Sequence, residues 1–148
     1  MNIDFVTYEI AVKLKEKGFN WTCMAHFNTI TYNEPTLNYN VTVDDIQGSN
    51  FKSLNKLDSF IDAPTISQVL KWLRKKKNIY ITPNIGYCYE TDFVPFYENP
   101  GMKPIMKGYY YGIWLLDDLN DKLGHSEYYK TYEDAALAGI EYVLDNLI

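Results

Sequence analysis

The chain has 148 residues, 47% hydrophobic and 22% charged, with a net charge of −5. This balance excludes wholesale disorder, and the length suits a single domain, 1–148, able to bury about 70% of its unfolded surface without a disulfide or a metal. The acidity disfavours non-specific nucleic-acid binding by the chain as a whole.

The charge is unevenly spread. Residues 1–69 sum to −3, residues 70–116 to +4 and residues 117–148 to −6, which leaves a local basic patch in the middle. Aromatic residues make up 16%, including 14 Tyr, enough for a firm core with rings left over for a binding surface. Residues 1–5 have neither the basic nor the apolar region of a signal peptide. The longest apolar run, the eight residues 109–116, is far short of the roughly 18–20 that cross a bilayer. A cytoplasmic protein without a membrane segment is expected, with Cys23 and Cys88 as buried free thiols.

In chain order, the first helix is predicted over about 8–17. Thr7 is a good N-cap, Glu9 lies in the positive first turn and Gly18 suits the left-handed residue after the helix. Val6, Ile10, Ala11 and Leu14 share one face. Residues 23–28 then alternate as a strand. Residues 37–44 alternate strictly, with Leu37, Tyr39, Val41 and Val43 on one face, so one face should be core and the other wet. Asn33, Glu34 and Pro35 make the turn of an antiparallel hairpin. Residues 45–63 are polar and mixed and read as a long surface loop. The second helix, about 65–77, opens on a Thr65-x-x-Gln68 capping box. It buries Ile66, Val69, Leu70 and Leu73, and its cations at 74–77 lie at the negative helix end, with Asn78 as terminator.

Residues 79–82 read as a strand stopped by Pro83, and 85–89 as another. A proline-interrupted segment, 93–97, and a turn, 99–101, follow. Residues 109–116 are apolar on both alternating faces, which calls for a central strand covered on both sides. Residues 117–121 read as a polar turn. The last helix, about 132–147, starts from Thr131 with Asp134 at its third position and turns Ala136, Ile140, Val143, Leu144 and Leu147 inward. Gly139, about 1 kcal/mol worse than Ala in a helix, implies a close neighbour. The expected fold is α+β: a mostly antiparallel sheet of about 4–6 strands with three main helices on one face.

Three blocks carry a resemblance. T-Y-E-x-A-x-x-L-K-E-x-G-F at 7–19, D-A-P-T-x-x-Q-x-x-K-W-L-R at 62–74 and T-Y-E-x-A-x-x-A-G-I at 131–140 together resemble a family of small uncharacterised proteins from gut bacteria, their prophages and phages. The blocks cover about a quarter of the chain. The resemblance implies a phage or mobile-element origin, but no activity, substrate or catalytic residue. Arg74 is the sole arginine among 14 basic residues, and Asn, Lys, Ile and Tyr abound, as in AT-rich genes of that kind.

Sites for chemistry are sparse. His26 and His125 are the only histidines. Cys23 and His26, three apart on a strand, point to opposite faces and do not form a nucleophile pair. The acidic residues Asp117, Asp118 and Asp121 lack calcium-loop spacing. Asp44 with Asp45, and Glu90 with Asp92, read as strand-end charges. No glycine pattern makes a phosphate loop. Neither a catalytic residue, a metal ligand nor a cofactor is expected. The one suggestive pattern joins Lys71, the cations at 74–77, Lys103 and Lys107 with Tyr80, Tyr87, Tyr89 and Tyr109 to Tyr111, since cations neutralise phosphates while rings stack bases.

The expected function is therefore that of a small non-enzymatic binding or regulatory protein acting through protein–protein contacts, with a second copy of the chain or a host protein as partner. Its expected interaction surface comprises Lys71, Trp72, Arg74, Lys75, Tyr87, Tyr89, Tyr110 and Trp114. The alternatives are a nucleic-acid binder using the Lys/Tyr patch, and an enzyme with an unfamiliar site around Cys88, a histidine and a carboxylate.

Overall fold

A computed structural model describes residues 4–29, 35–39, 60–88, 105–115, 118–125 and 127–148. The expected loop over 45–59, the segment 93–97, the turn 99–101 and residues Asn33, Glu34, Asp44, Asp45, Tyr89, Glu90, Asp92, Lys103 and Asp117 lie outside them. The described residues hold three helices, α1 (Tyr8–Glu16), α2 (Ile66–Lys77) and α3 (Tyr132–Asn146). They also hold six strands, β1 (Ala25–Asn28), β2 (Thr36–Tyr39), β3 (Phe60–Ala63), β4 (Ile79–Cys88), β5 (Ile105–Leu115) and β6 (Asp118–His125). The α+β class and all three helices are as the sequence predicts. The strands divide between two antiparallel sheets, ordered β2-β1-β3 and β4-β5-β6. The chain forms two compact units, residues 1–77 with 140–148, and residues 78–139.

In the first unit each helix start follows from its cap. The Thr7 hydroxyl accepts from the Ile10 amide at 3.4 Å. At α2 the capping box closes both ways: the Gln68 amide donates to Thr65 Oγ1 at 3.2 Å and the Thr65 amide to Gln68 Oε1 at 3.0 Å, satisfying donors the helix cannot. Gly18, at φ +83°, ends the α1 turn in the left-handed region that a side chain disfavours. Asn78, at φ 56°, does the same after α2.

The first sheet departs from expectation in two ways. Residues 60–63, read as the end of a loop, are β3, which pairs with β1 so that Ile61 faces Phe27 and Ala63 faces Ala25. Four residues are too short for periodicity to show. β2 is an edge strand, and Leu37 and Tyr39 are exposed where core was expected. Alternation fixes which side chains share a face; it does not fix whether that face is covered. In α2 the buried stripe is Ile66, Val69, Trp72 and Leu73, with Leu70 only half-buried. Trp72 meets Phe19 edge-to-face at 5.5 Å, a contact Leu70 is placed too far round the helix to make.

α3 has no cation in its last turn. Lys13 of α1 supplies one, with Nζ 2.8 Å from both Glu141 Oε1 and Asp145 Oδ2, and Lys17 donates to the Ile148 carbonyl oxygen. Glu141 and Asp145 would repel one another on an isolated helix. The hydrogen bond to Asp145, and then that to Glu141, holds the Lys13 ammonium above its ordinary range.

In the second unit β4 runs unbroken through Pro83, contrary to the predicted stop. Among the described residues β4 pairs with β5 alone and is an edge, where a proline's missing donor costs no ladder bond. Residues 118–121, read as a turn, belong to β6, which pairs with β5 through two register shifts. Asp, Asn and Gly are poor strand formers, so pairing rather than propensity makes this strand. Residues 109–115 lie in β5, the central strand, as expected. A Cβ on Gly139 of α3 would stand 2.8 Å from Ile81 Cγ2 and 3.1 Å from Tyr111 Cγ. The glycine thus reports the close approach its position implied.

Two outcomes follow. Lys13→Met should lower stability by up to about 1 kcal/mol at low ionic strength and by almost nothing near 1 M salt, measured by urea unfolding. Because the folded Lys13 pKa is raised, that contribution is complete below the ordinary lysine range and disappears as pH rises through the folded value. Gly139→Ala should destabilise by about 1–2 kcal/mol despite its better helix propensity, because the stiff Ile81 and the base of Tyr111 cannot give way.

Candidate binding surface

β4 and β5 place Tyr80 opposite Trp114, Thr82 opposite Gly112, Asn84 opposite Tyr110 and Gly86 opposite Gly108. Directly opposed residues share a face. The reverse face carries Ile79, Ile81, Tyr111 and Ile113, all buried. The face of Tyr80, Tyr110 and Trp114 is different: its three rings are only half-buried.

A polar group fixes the Trp114 ring. The Trp114 indole Nε1 donates to Thr82 Oγ1 at 3.2 Å, and the Thr82 hydroxyl donates to the Gly112 carbonyl at 3.4 Å. Asn84 Nδ2 donates to the Thr82 carbonyl at 2.9 Å. An indole held by its N–H presents an oriented ring with little left to lose in rotamer freedom.

A fourth ring joins from beyond β6. Tyr109 and Tyr129 exchange both backbone hydrogen bonds, at 2.8 and 2.6 Å. Gly108 permits this approach: its φ is +146°, and a Cβ there would lie 2.6 Å from the Tyr129 carbonyl oxygen. With Tyr129 opposite Tyr109, alternation sends Tyr128 to the other face. Its ring stands edge-to-face to Tyr110 at 6.2 Å and occupies the space a Cβ on Gly86 would need. Tyr128 is nonetheless 47% exposed, so it is seated in the slot yet open to solvent. Tyr129 turns inward toward Tyr111, and burial, with the Glu127 charge adding, pushes its phenol up.

Of the expected surface residues, Tyr110 and Trp114 lie on this face. Lys71, Arg74 and Lys75 are exposed on α2, in the other unit. Trp72 is a correction: it is 2% exposed, packed on Phe19 with Lys77 Nζ 5.5 Å from its ring, and belongs to the core. Tyr87 is placed by its backbone alone, opposite Met106, and Tyr89 lies outside the described residues. Tyr128 was missed by sequence reasoning. The available signal was the pair Gly86 and Gly108, since glycine inside a strand marks a close approach.

The side chains of His26 and Cys23 each have a local partner. His26 faces buried Asp62 across β1 and β3 and meets Phe60 edge-to-face at 5.1 Å. Cys23 Sγ donates to the Trp21 carbonyl at 3.4 Å. Burial, with the Asp62 charge adding, pushes the Cys23 thiol up; it stays protonated and is a poor nucleophile. His125 lies in β6, its backbone opposite Gly112, and Cys88 in β4, opposite Ile105. Among the described residues no three His, Cys, Asp or Glu side chains gather to hold a metal, and no helix is long and apolar enough to cross a membrane.

The Tyr128 slot predicts a coupled pair. Gly86→Ala and Tyr128→Ala should each cost about 1 kcal/mol in urea unfolding, and the double variant clearly less than their sum, because both remove one contact.

Compared with known protein families, curated proteins and solved structures, the chain matches none.

Proposed function

We propose that the chain is a small non-enzymatic binding protein, of phage or mobile-element origin, that acts through protein–protein contact at the face of Tyr80, Tyr110, Trp114 and Tyr128. The observation that carries this reading is a row of half-buried rings, oriented by the Trp114–Thr82 hydrogen bond and interleaved with Asn84. Tyrosine and tryptophan are enriched in interfaces, and rigid aromatic anchors carry most of their energy. Residues 78–139 contain four lysines against nine carboxylates. That surplus of negative charge favours a protein partner over a phosphate backbone at these rings.

The partner is a second copy of the chain or a host protein. Sedimentation and affinity capture with the intact chain test this. The expected result is self-association, or retention of one defined host protein, weakened at least tenfold by Tyr110→Ala or Tyr128→Ala with folding intact. A strict monomer that retains no protein would sink the reading, as would binding indifferent to both substitutions.

A further inference from the structure

A second surface lies on α2, in the other unit. Between Lys71 and Lys77 this helix carries five cations, and it has no carboxylate anywhere. All five are exposed. A helix C-terminus presents about half a negative charge, which one or two cations satisfy. The remainder repel one another at spacings of three and four residues. Lys77 has a local role, over the Trp72 ring at 5.5 Å. Lys71, Lys75 and Lys76 form no ion pair among the described residues. The unit as a whole is balanced, with ten basic and ten acidic residues, yet half of its cations fall in this one stretch.

Spacing arranges the cations. Ser67, Lys71, Arg74 and Lys75 follow the pattern i, i+4, i+7, i+8, a single stripe along the helix. The apolar residues of α2 turn the other way, with Ile66, Val69, Trp72 and Leu73 buried. The stripe has no aromatic anchor, and its aliphatic neighbour Leu70 is half-buried one turn before Arg74. Protein interfaces need such a centre and are depleted of lysine. A stripe of hydrated point charges around one guanidinium suits phosphates, where affinity comes from counterion release.

We infer that the exposed face of α2, through Lys71, Arg74 and Lys75, docks on the phosphate backbone of a nucleic acid without reading its sequence. Ser67, the other residue on the stripe, is too short to reach a base edge, and the three cations are inferred to stop at phosphate oxygens.

Fluorescence anisotropy of a labelled DNA duplex of arbitrary sequence, titrated with the intact chain, tests this. Three phosphate contacts give a slope of log K against log salt of about −3. Replacing Lys71, Arg74 and Lys75 together by Gln should weaken binding on the order of 100-fold near 0.1 M salt and flatten the slope. Tyr110→Ala, which belongs to the aromatic face, should leave affinity within about twofold, so failure of one surface is distinguishable from failure of the other. A labelled single strand that binds with a slightly shallower slope also supports the inference. No binding at low salt, a triple variant that binds as the parent does, or a polyglutamate peptide that binds as tightly as the duplex would each overturn it. Circular dichroism confirms that the triple variant is folded.

Discussion

The second unit is organised by one demand: β5 is apolar on both faces and needs hydrogen-bond partners on both edges. β4 and β6 meet the second requirement. The first is met differently on each side. On the face of Tyr111 and Ile113, α3 comes in so close that only Gly139 fits against Ile81. On the other face, cover comes from side chains within the unit, with Trp114 tied to Thr82 and the Tyr128 ring laid on Gly86. A helix can exclude water completely, as the buried Ile113 attests. Rings packed edge-to-face leave part of their surface wet. Within this unit the half-buried aromatic row thus follows from covering a two-faced strand with a helix on one face and with side chains on the other.

In the other unit, helix ends set the electrostatic layout. α3 brings Glu141 and Asp145 to its C-terminal turns without a cation of its own, and Lys13 of α1 bridges both. α2 shows the opposite imbalance. Its cations gather at a helix end that favours them, yet far exceed what that end needs, and within the helix nothing acidic offsets them. One imbalance is answered between helices of the unit; the other sits on an exposed helix face.

What the sequence made legible was local. The caps at Thr7, Thr65 and Thr131 mark all three helix starts, because capping chemistry is a short-range pattern of hydroxyl and amide. The last forms as read, with the Asp134 amide donating to Thr131 Oγ1 at 3.0 Å. The central position of β5 was legible because two apolar faces leave little choice. β3 and β6 were not, since their pairing depends on partners distant in the chain, β3 is too short for periodicity to show, and β6 is rich in the poor strand formers Asp, Asn and Gly. Pro83 misled for a related reason: whether a proline ends a strand depends on whether the strand is an edge, which is a property of the sheet. Likewise Trp72, flanked by cations, looked like a surface ring, although its position one turn from Val69 and next to Leu73 is compatible with the core.

Trp72 also separates the two functional ideas that sequence adjacency had merged. A patch of lysines and aromatics suggests phosphates and stacked bases together. With Trp72 in the core, the cations of α2 keep no exposed ring on their own helix, while the exposed rings of β4 and β5 sit in a segment where carboxylates outnumber lysines by nine to four. Stacking on bases requires a potential that tolerates the backbone those bases bring with them, and a surplus of carboxylates works against it. Phosphate docking requires cations but no rings, which is what α2 offers on its exposed face. The two proposed surfaces therefore call for partners of different chemistry, a protein at the rings and a polyanion at the lysines.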